Sequence, residues 1–335
     1  MVKQIDSGYF GSYAGFHIHE DMLKDRVRTE AYRDFIEGNG DLFKDKVVMD
    51  VGCGTGILSL FAARAGAKHV VAIDNSGIIE RAKEIAEENG LSSKITFIRG
   101  KAEMIEELSA SFDKVDVIIS EWMGYCLLFE SMLPSVLFVR DRWLKPITGR
   151  VYPDISSLHI LGMSAPEYRK SRVDFWKKDV YGFSMESIAK RVHLEPGVDH
   201  MQGYKVITDS NKFFEIDCNK VKPEQLDFES PFELHAKPDG EDVTTLDAFV
   251  TYFDIGFIKD AKKPIQFTTS PTSTETHWRQ TVLILEEPIA LHKGDVITGT
   301  IQLKANRESF RDLDIRLTYK IGPNGLEKTQ AFCIN

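Results

Sequence analysis

Apolar residues follow two different rhythms along this chain, and the change comes near Pro153. Leu23, Val27, Ala31 and Phe35 recur every four residues, a spacing that lines one face of a helix over residues 20–36 and stops near Gly38 and Gly40. From there to Pro153, the β-branched runs Val47–Val51, His69–Asp74, Lys94–Arg99 and Val115–Ser120 alternate with helical stretches such as Ile78–Glu88. Strand and helix in alternation predict a parallel sheet, because parallel neighbours need a crossover connection. Beyond Pro153 the helices drop out: Phe213–Cys218, Ala248–Phe257, Thr281–Glu286, Val296–Leu303 and Ile315–Ile321 are strand-like runs joined by loops. That pattern predicts an antiparallel sheet or barrel. Between the two halves, Tyr168–Phe183 sets Tyr168, Phe175, Trp176, Tyr181 and Phe183 among Lys and Arg. Such a segment reads equally as an arm that meets another chain or as a helical excursion packed on its own barrel.

At 335 residues the chain exceeds one ordinary domain and suits two. An apolar content of 42% with 28% charged residues is that of a water-soluble globular protein, and no apolar run approaches a membrane span. No signal peptide opens the sequence, and membrane partners are not expected. Cys53, Cys126, Cys218 and Cys333 lie far apart, with neither zinc spacing nor a paired framework. No metal is expected, and a reducing compartment is: the cytoplasm, with the nucleus as a second location. A net charge of −9 argues against direct nucleic-acid binding and would steer basic peptides inward.

Chemistry concentrates at a few places. Asp50-Val-Gly52-Cys53-Gly54-Thr-Gly56 follows the first strand-like run and opens a helical one. Glycines at a strand-to-helix turn let the backbone approach a ligand and reach positive φ without penalty. Asp74 ends the next strand, where a carboxylate can accept hydrogen bonds from ribose hydroxyls. A nucleoside ligand follows, and the G-x-G-x-G spacing after an acid suits S-adenosylmethionine rather than a dinucleotide. A turn of purely structural purpose is the competing reading.

Residues 120–132 carry two isolated carboxylates, Glu121 and Glu130, in a mostly apolar stretch without Lys or Arg. A buried carboxylate needs a cation, and a guanidinium offers the matching fork of donors, so an arginine ligand fits; two surface glutamates beside a turn would look the same. His19, Met22, Asp25 and Arg28 stand three apart, as helical neighbours do. Arg28 could bind a cofactor carboxylate or form a surface pair with Asp25. His19, and His277 at the start of a late strand, read by themselves as structural histidines.

These motifs together resemble the protein arginine N-methyltransferases of type I. Tyr9, Phe10 and Tyr13 look like the family's amino-terminal aromatic motif, Asp50–Gly56 like its cofactor loop, Ser120–Met132 like its double-glutamate loop, and Thr276–Trp278 like its Thr-His-Trp loop. Cys53, Asp74, Leu127 and Leu128 look most similar to type 3 members. Two features depart from the pattern. His17 stands where Gly is usual, and the amino-terminal zinc module of type 3 members has no counterpart, as expected of a truncated core.

The resemblance implies an α/β fold with a Rossmann-like methyltransferase domain over residues 41–153, preceded by a helical segment at 1–40 that closes over the cofactor. A mostly antiparallel β-barrel at 154–335 would follow, with a helical dimerisation arm at about 165–190 that joins two subunits. It implies S-adenosylmethionine as methyl donor, S-adenosylhomocysteine as product, and His19, Arg28, Asp50, Gly52, Gly54, Asp74, Ala102 and Glu103 as cofactor-binding residues. Glu121 and Glu130 would clamp the substrate arginine, with His277 and Asp25 completing the catalytic set. Tyr9, Tyr13, Met22, Met132 and Trp278 would shape the substrate pocket. Arginine-containing proteins, Gly/Arg-rich, RNA-binding or ribosomal, would be the substrates, giving mono- and asymmetric dimethylarginine. A small-molecule methyltransferase would share the cofactor loop, a dehydrogenase would need another glycine spacing, and a non-catalytic scaffold would need none of the carboxylates.

Overall fold

The computed structural model describes residues 8–108, 112–237 and 242–335. Its first half centres on five parallel strands, β1 (Val47–Val51), β2 (His69–Asp74), β3 (Ile95–Arg99), β4 (Val117–Ile119) and β5 (Arg150–Tyr152), ordered β3-β2-β1-β4-β5. All five residues of β1 are buried, as expected of a central parallel strand covered on both faces. Because β1 continues to β2 on one side and pairs with β4 on the other, the sheet reverses its winding there. The carboxyl ends of β1 and β4 therefore flank a crevice, the usual ligand position in such sheets.

The helical stripe expected over residues 20–36 is two helices rather than one, α1 (Phe16–Lys24) and α2 (Arg26–Gly38). Asp25 between them is extended (φ −67°, ψ 97°), and its side chain accepts the Arg28 backbone N–H, capping α2. An Asp at that position stabilises a helix start better than a helix interior, so the local capping preference overrides the periodic pattern. Leu23 is left partly exposed on α1, whereas Ala31 and Phe35 are buried on α2.

The chain passes from β5 through a cis Tyr152–Pro153 bond into β6 (Ile155–Ser164). From β6 onward pairing is antiparallel. One sheet holds β6, β9 (Gly197–Asp199), β10 (Lys205–Asp217), β12 (Val243–Phe257), β13 (Ile265–Thr268) and β14 (Gln280–His292). The other holds β11 (Phe228–His235), β15 (Val296–Ala305), β16 (Leu313–Ile321) and β17 (Lys328–Ile334). A bridge between Thr208 and Ala236 links the two sheets, and Phe232, Phe249 and Tyr319 meet edge to face between them, filling the barrel. The barrel does not stand apart from the parallel sheet. Phe35 packs on Tyr152 and Phe257 with ring centroids 4.6 and 4.9 Å apart, so one core runs through both halves.

The aromatic segment divides into a part packed on its own barrel and an exposed part. Helix α3 (Pro166–Arg172) buries Tyr168 and Arg169 against the barrel, where Tyr168 Oη donates to Asp199 and Arg169 donates to the carbonyls of Leu285 and Glu286. Past it, a short hairpin of β7 (Asp179–Val180) and β8 (Phe183–Ser184) holds Tyr181 and Phe183 out at 95% and 68% exposure. No helix among the described residues is long and apolar enough to cross a membrane.

Candidate active site

A cavity of about 420 Å³ opens at the carboxyl ends of β1, β2 and β4, where the amino-terminal helix, the cofactor loop, residues 121–132 and two barrel loops converge. Fourteen of the site residues expected above line it: Tyr9, Tyr13, His19, Met22, Arg28, Gly52, Gly54, Asp74, Ala102, Glu103, Glu121, Glu130, Met132 and His277.

The floor is the glycine turn. Gly52, Gly54 and Gly56 all have positive φ (73°, 54° and 83°). A Cβ on Gly52 would lie 2.3 Å from Met132 Cε, and one on Gly54 would lie 3.3 Å from the His19 ring, so both positions serve close approach as well as conformation. Asp74 braces the turn: one carboxylate oxygen accepts the Gly54 N–H at 2.9 Å, and the other accepts the backbone and hydroxyl of Ser76 at 2.7 Å. The turn is thus a preformed cradle with a carboxylate at its rim. On the far wall, Glu103 in the turn Ala102–Met104 accepts from Ser135 Oγ, and His19 Nε2 meets the Tyr13 carbonyl at 2.8 Å. Among the described residues no group of three His, Cys, Asp or Glu stands close enough to hold a metal ion.

The wall opposite is the stretch 121–132, and its backbone is unusual. Cys126, Leu127, Glu130 and Ser131 all sit at positive φ (49°, 66°, 71° and 54°), a region that costs non-glycine residues energy and persists only where surroundings enforce it. Gly124 permits the fold-back, since a Cβ there would meet the Phe129 carbonyl at 2.1 Å. Barrel residues hold the loop from outside. Trp278 Nε1 donates to the Met123 carbonyl at 2.8 Å, and Glu130 exchanges two bonds with Arg311, N–H to the Arg311 carbonyl (2.8 Å) and Nη1–H to the Glu130 carbonyl (2.7 Å).

Glu121 is not without a cation. Nε and Nη2 of Arg28 both donate to its Oε2, at 2.9 and 2.7 Å, which corrects the expectation of two unpaired carboxylates and that of an Arg28–Asp25 surface pair. Glu130 accepts Tyr13 Oη at 2.8 Å. Burial pushes the Glu130 carboxyl above its ordinary range, the hydroxyls of Tyr13 and Tyr9 pull it back, and neighbouring Glu121 pushes it up again. Burial likewise raises both tyrosines, which stay neutral donors.

Three expected site residues stand behind the cavity rather than in its wall. Asp50 is wholly buried beneath the glycine turn, where Oδ2 accepts Ser59 Oγ at 2.7 Å and Oδ1 has no partner. Burial pushes its carboxyl up to about 7, with Ser59 opposing and Asp74 adding to the rise, and Asp50 lies outside the cavity wall. Asp25 lies behind His277, accepting its backbone N–H and facing its Nδ1, both at 2.8 Å. Burial works against that carboxylate's charge, but the bonds from His277 and Arg28 hold its pKa below the ordinary value. Trp278 is buried between Phe253 and Phe267 and donates its indole N–H to the loop. Sequence reasoning missed Arg311, whose guanidinium lies 3.7 Å from the Tyr9 ring centroid, and Ser135. Neither carries a local signal: Arg311 is one of 42 basic residues and meets the site only through the barrel's return.

Residues 154–324 match the family model described as arginine methyltransferase oligomerization subdomain, and residues 42–142 match a methyltransferase domain. The chain is 45% identical over 327 residues to "Protein arginine N-methyltransferase 1" of Saccharomyces cerevisiae, covering 97% of this chain and 91% of that one. It is 46% identical over 327 residues to the protein of the same name in Schizosaccharomyces pombe, covering 96% and 93%. A solved structure described as the Trypanosoma brucei PRMT1 enzyme-prozyme heterotetrameric complex with AdoHcy superposes with a TM-score of 0.90 at 39% identity, covering 97% of this chain and all of that one.

Proposed function

The chain belongs to the protein arginine N-methyltransferase family, and from that premise we propose that it moves methyl groups from S-adenosylmethionine to a terminal guanidino nitrogen of arginine in other proteins. The observation that carries this reading is the meeting of two partly buried glutamates with a glycine cradle in one cavity. The cradle fits a nucleoside methyl donor: its backbone is open where side chains would intrude, and Asp74 offers carboxylate oxygens at its rim. Bound there, the donor supplies a sulfonium methyl group.

The chain's own residues do the rest. A guanidinium holds its proton in water and shares its lone pairs, so it is a poor nucleophile until charge is localised. Glu121 and Glu130 reach it from one side and draw positive charge toward the nitrogens they touch, leaving the remaining terminal nitrogen richer in electrons. Arg28 takes only Oε2 of Glu121 and Tyr13 only Oε2 of Glu130. Those contacts orient both carboxylates toward the cavity. Glu130, whose proton affinity burial raises, accepts the proton the nitrogen sheds. Met22 and Met132 bound the space around the accepting nitrogen. We assign the product as mono- and asymmetric dimethylarginine, by the type I resemblance, and the substrates as Gly/Arg-rich, RNA-binding or ribosomal proteins that suit a net charge of −9.

The oligomerization subdomain and the exposed aromatics of the hairpin support a homodimer, with Tyr181 and Phe183 as its contact. Four free cysteines suit a reducing compartment, the cytoplasm or the nucleus. Methyl label from S-adenosylmethionine should enter an arginine peptide and not its lysine counterpart. Label in neither peptide, with the cofactor bound, would overturn the assignment.

A further inference from the structure

The residue that holds Glu130 from the barrel side also holds the helical residues 8–12 that precede α1. Arg311 sits in the turn between β15 and β16, and that turn is held by its own hydrogen bonds. Asn306 accepts the N–H groups of Glu308 and Ser309 through Oδ1 and donates Nδ2 to Asp314, while the Asp312 N–H bonds the Ser309 carbonyl. From this frame the Arg311 guanidinium lies over three rings, 3.7 Å from the centroid of Tyr9, 5.3 Å from Phe10 and 4.9 Å from Phe310. Its Nη1 donates to the Glu130 carbonyl at 2.7 Å while its own carbonyl accepts the Glu130 N–H at 2.8 Å. Tyr13, one turn on from Tyr9, closes the circuit through Oη to Glu130 Oε2.

Two features of this arrangement bear on catalysis. Glu130 sits at φ 71°, and the paired bonds to Arg311 hold both its backbone polar groups, so Arg311 opposes the relaxation that would swing the carboxylate away. The aromatic ends of residues 8–12 find their cation on the barrel and not on the sheet beneath them. A cation over an aromatic face in a partly desolvated place favours the closed position of a short helix.

We propose that Arg311 is a positioning residue that latches the helix at Tyr9 and Phe10 to the strained backbone of Glu130, so that the clamp is complete only when the cavity is closed. The proposal rests on the methyltransferase reading for its catalytic consequence. The latch itself does not depend on that reading.

The test uses the full chain with Arg311→Gln, Arg311→Lys, Tyr9→Leu and the double variant Tyr9→Leu/Arg311→Gln. Hydrogen exchange of the amides in residues 8–12 should quicken about tenfold in Arg311→Gln and less in Arg311→Lys, which keeps a cation over the ring, while exchange in β12 stays unchanged. Turnover of an arginine peptide should fall about tenfold or more in kcat in Arg311→Gln, and the double variant should be no slower than the slower single one within about twofold, as for two halves of one contact. Unchanged exchange at residues 8–12, or losses that multiply in the double variant, would overturn the latch. If Arg311→Gln does not fold, the same cycle run with Arg311→Lys and Tyr9→Leu decides it. A wild-type chain that shows the exchange coupling but methylates no arginine would contradict the assigned activity and leave the latch standing.

Discussion

Arg28 and Glu121 form a buried ion pair: two donors of the guanidinium converge on one carboxylate oxygen at 2.9 and 2.7 Å, with the side chains 7% and 8% exposed. The pair joins the start of α2 to the end of β4, so the helix above the cavity and the sheet below it are fixed to each other through the clamp.

The two glutamates should therefore respond differently to removal of their charge. Glu121→Gln leaves a buried guanidinium without its counter-ion and should cost about 3–5 kcal/mol of stability. Glu130→Gln, whose Tyr13 partner is neutral, should unfold nearly as the wild type does while methyl transfer falls about 100-fold or more. Denaturant titration beside steady-state kinetics separates the two. Equal stability losses would show that Arg28 is not the partner that matters.

Asp50 should make the fold sensitive to pH. Its folded pKa, about 7, is raised above the ordinary 3.8, so the stability it contributes as a neutral acid is full below about 3.8 and lost as the pH rises to about 7. Asp50→Asn mimics the neutral form without titrating. Relative to the wild type its Tm should rise by at least ~2 °C across that window. Parallel melting curves at every pH would contradict the buried, half-satisfied carboxyl.

Asp25 should act in the opposite sense. The bonds from His277 and Arg28 hold its pKa below 3.8, so its contribution is present above that value and lost as the pH falls through the folded one. Asp25→Ala, which removes both the helix cap and the partner of His277, should cost about 0.5–2 kcal/mol at neutral pH. It should also slow turnover, since the His277 ring loses its orientation. A variant of normal stability and turnover would remove Asp25 from the account.

The hairpin should carry the contact between subunits. Tyr181→Ala with Phe183→Ala alters two exposed side chains and leaves Tyr168 and Arg169, which belong to the barrel core, untouched. Light scattering should report a monomer with poor activity. A dimer of wild-type mass would move the interface elsewhere.

What the sequence made legible follows the range of the interactions concerned. The parallel strands were visible because β-branched runs and crossovers are local patterns, and the glycine turn because positive φ needs glycine. The cradle's carboxylate, Asp74, was visible for the same reason, at the end of its strand. The break at Asp25 was hidden by a hydrophobic spacing that continued across it. The partner of Glu121 lies 93 residues away, and the arginine that secures Glu130 lies 181 residues away. Spacing within a segment carries no information about either. That Asp50 lies wholly buried beneath the turn is not legible either, because its place in the motif does not say which way a central strand turns its side chain.

The central claim is that Glu121 and Glu130 hold an arginine for methylation. Mass spectrometry of a Gly/Arg-rich peptide, incubated with S-adenosylmethionine and either the wild type or Glu130→Gln, tests it most directly. The account predicts mono- and asymmetric dimethylarginine with the wild type and almost none with the variant, both proteins binding S-adenosylhomocysteine alike by calorimetry. An unmodified peptide with the wild type, or equal methylation by the variant, would contradict it.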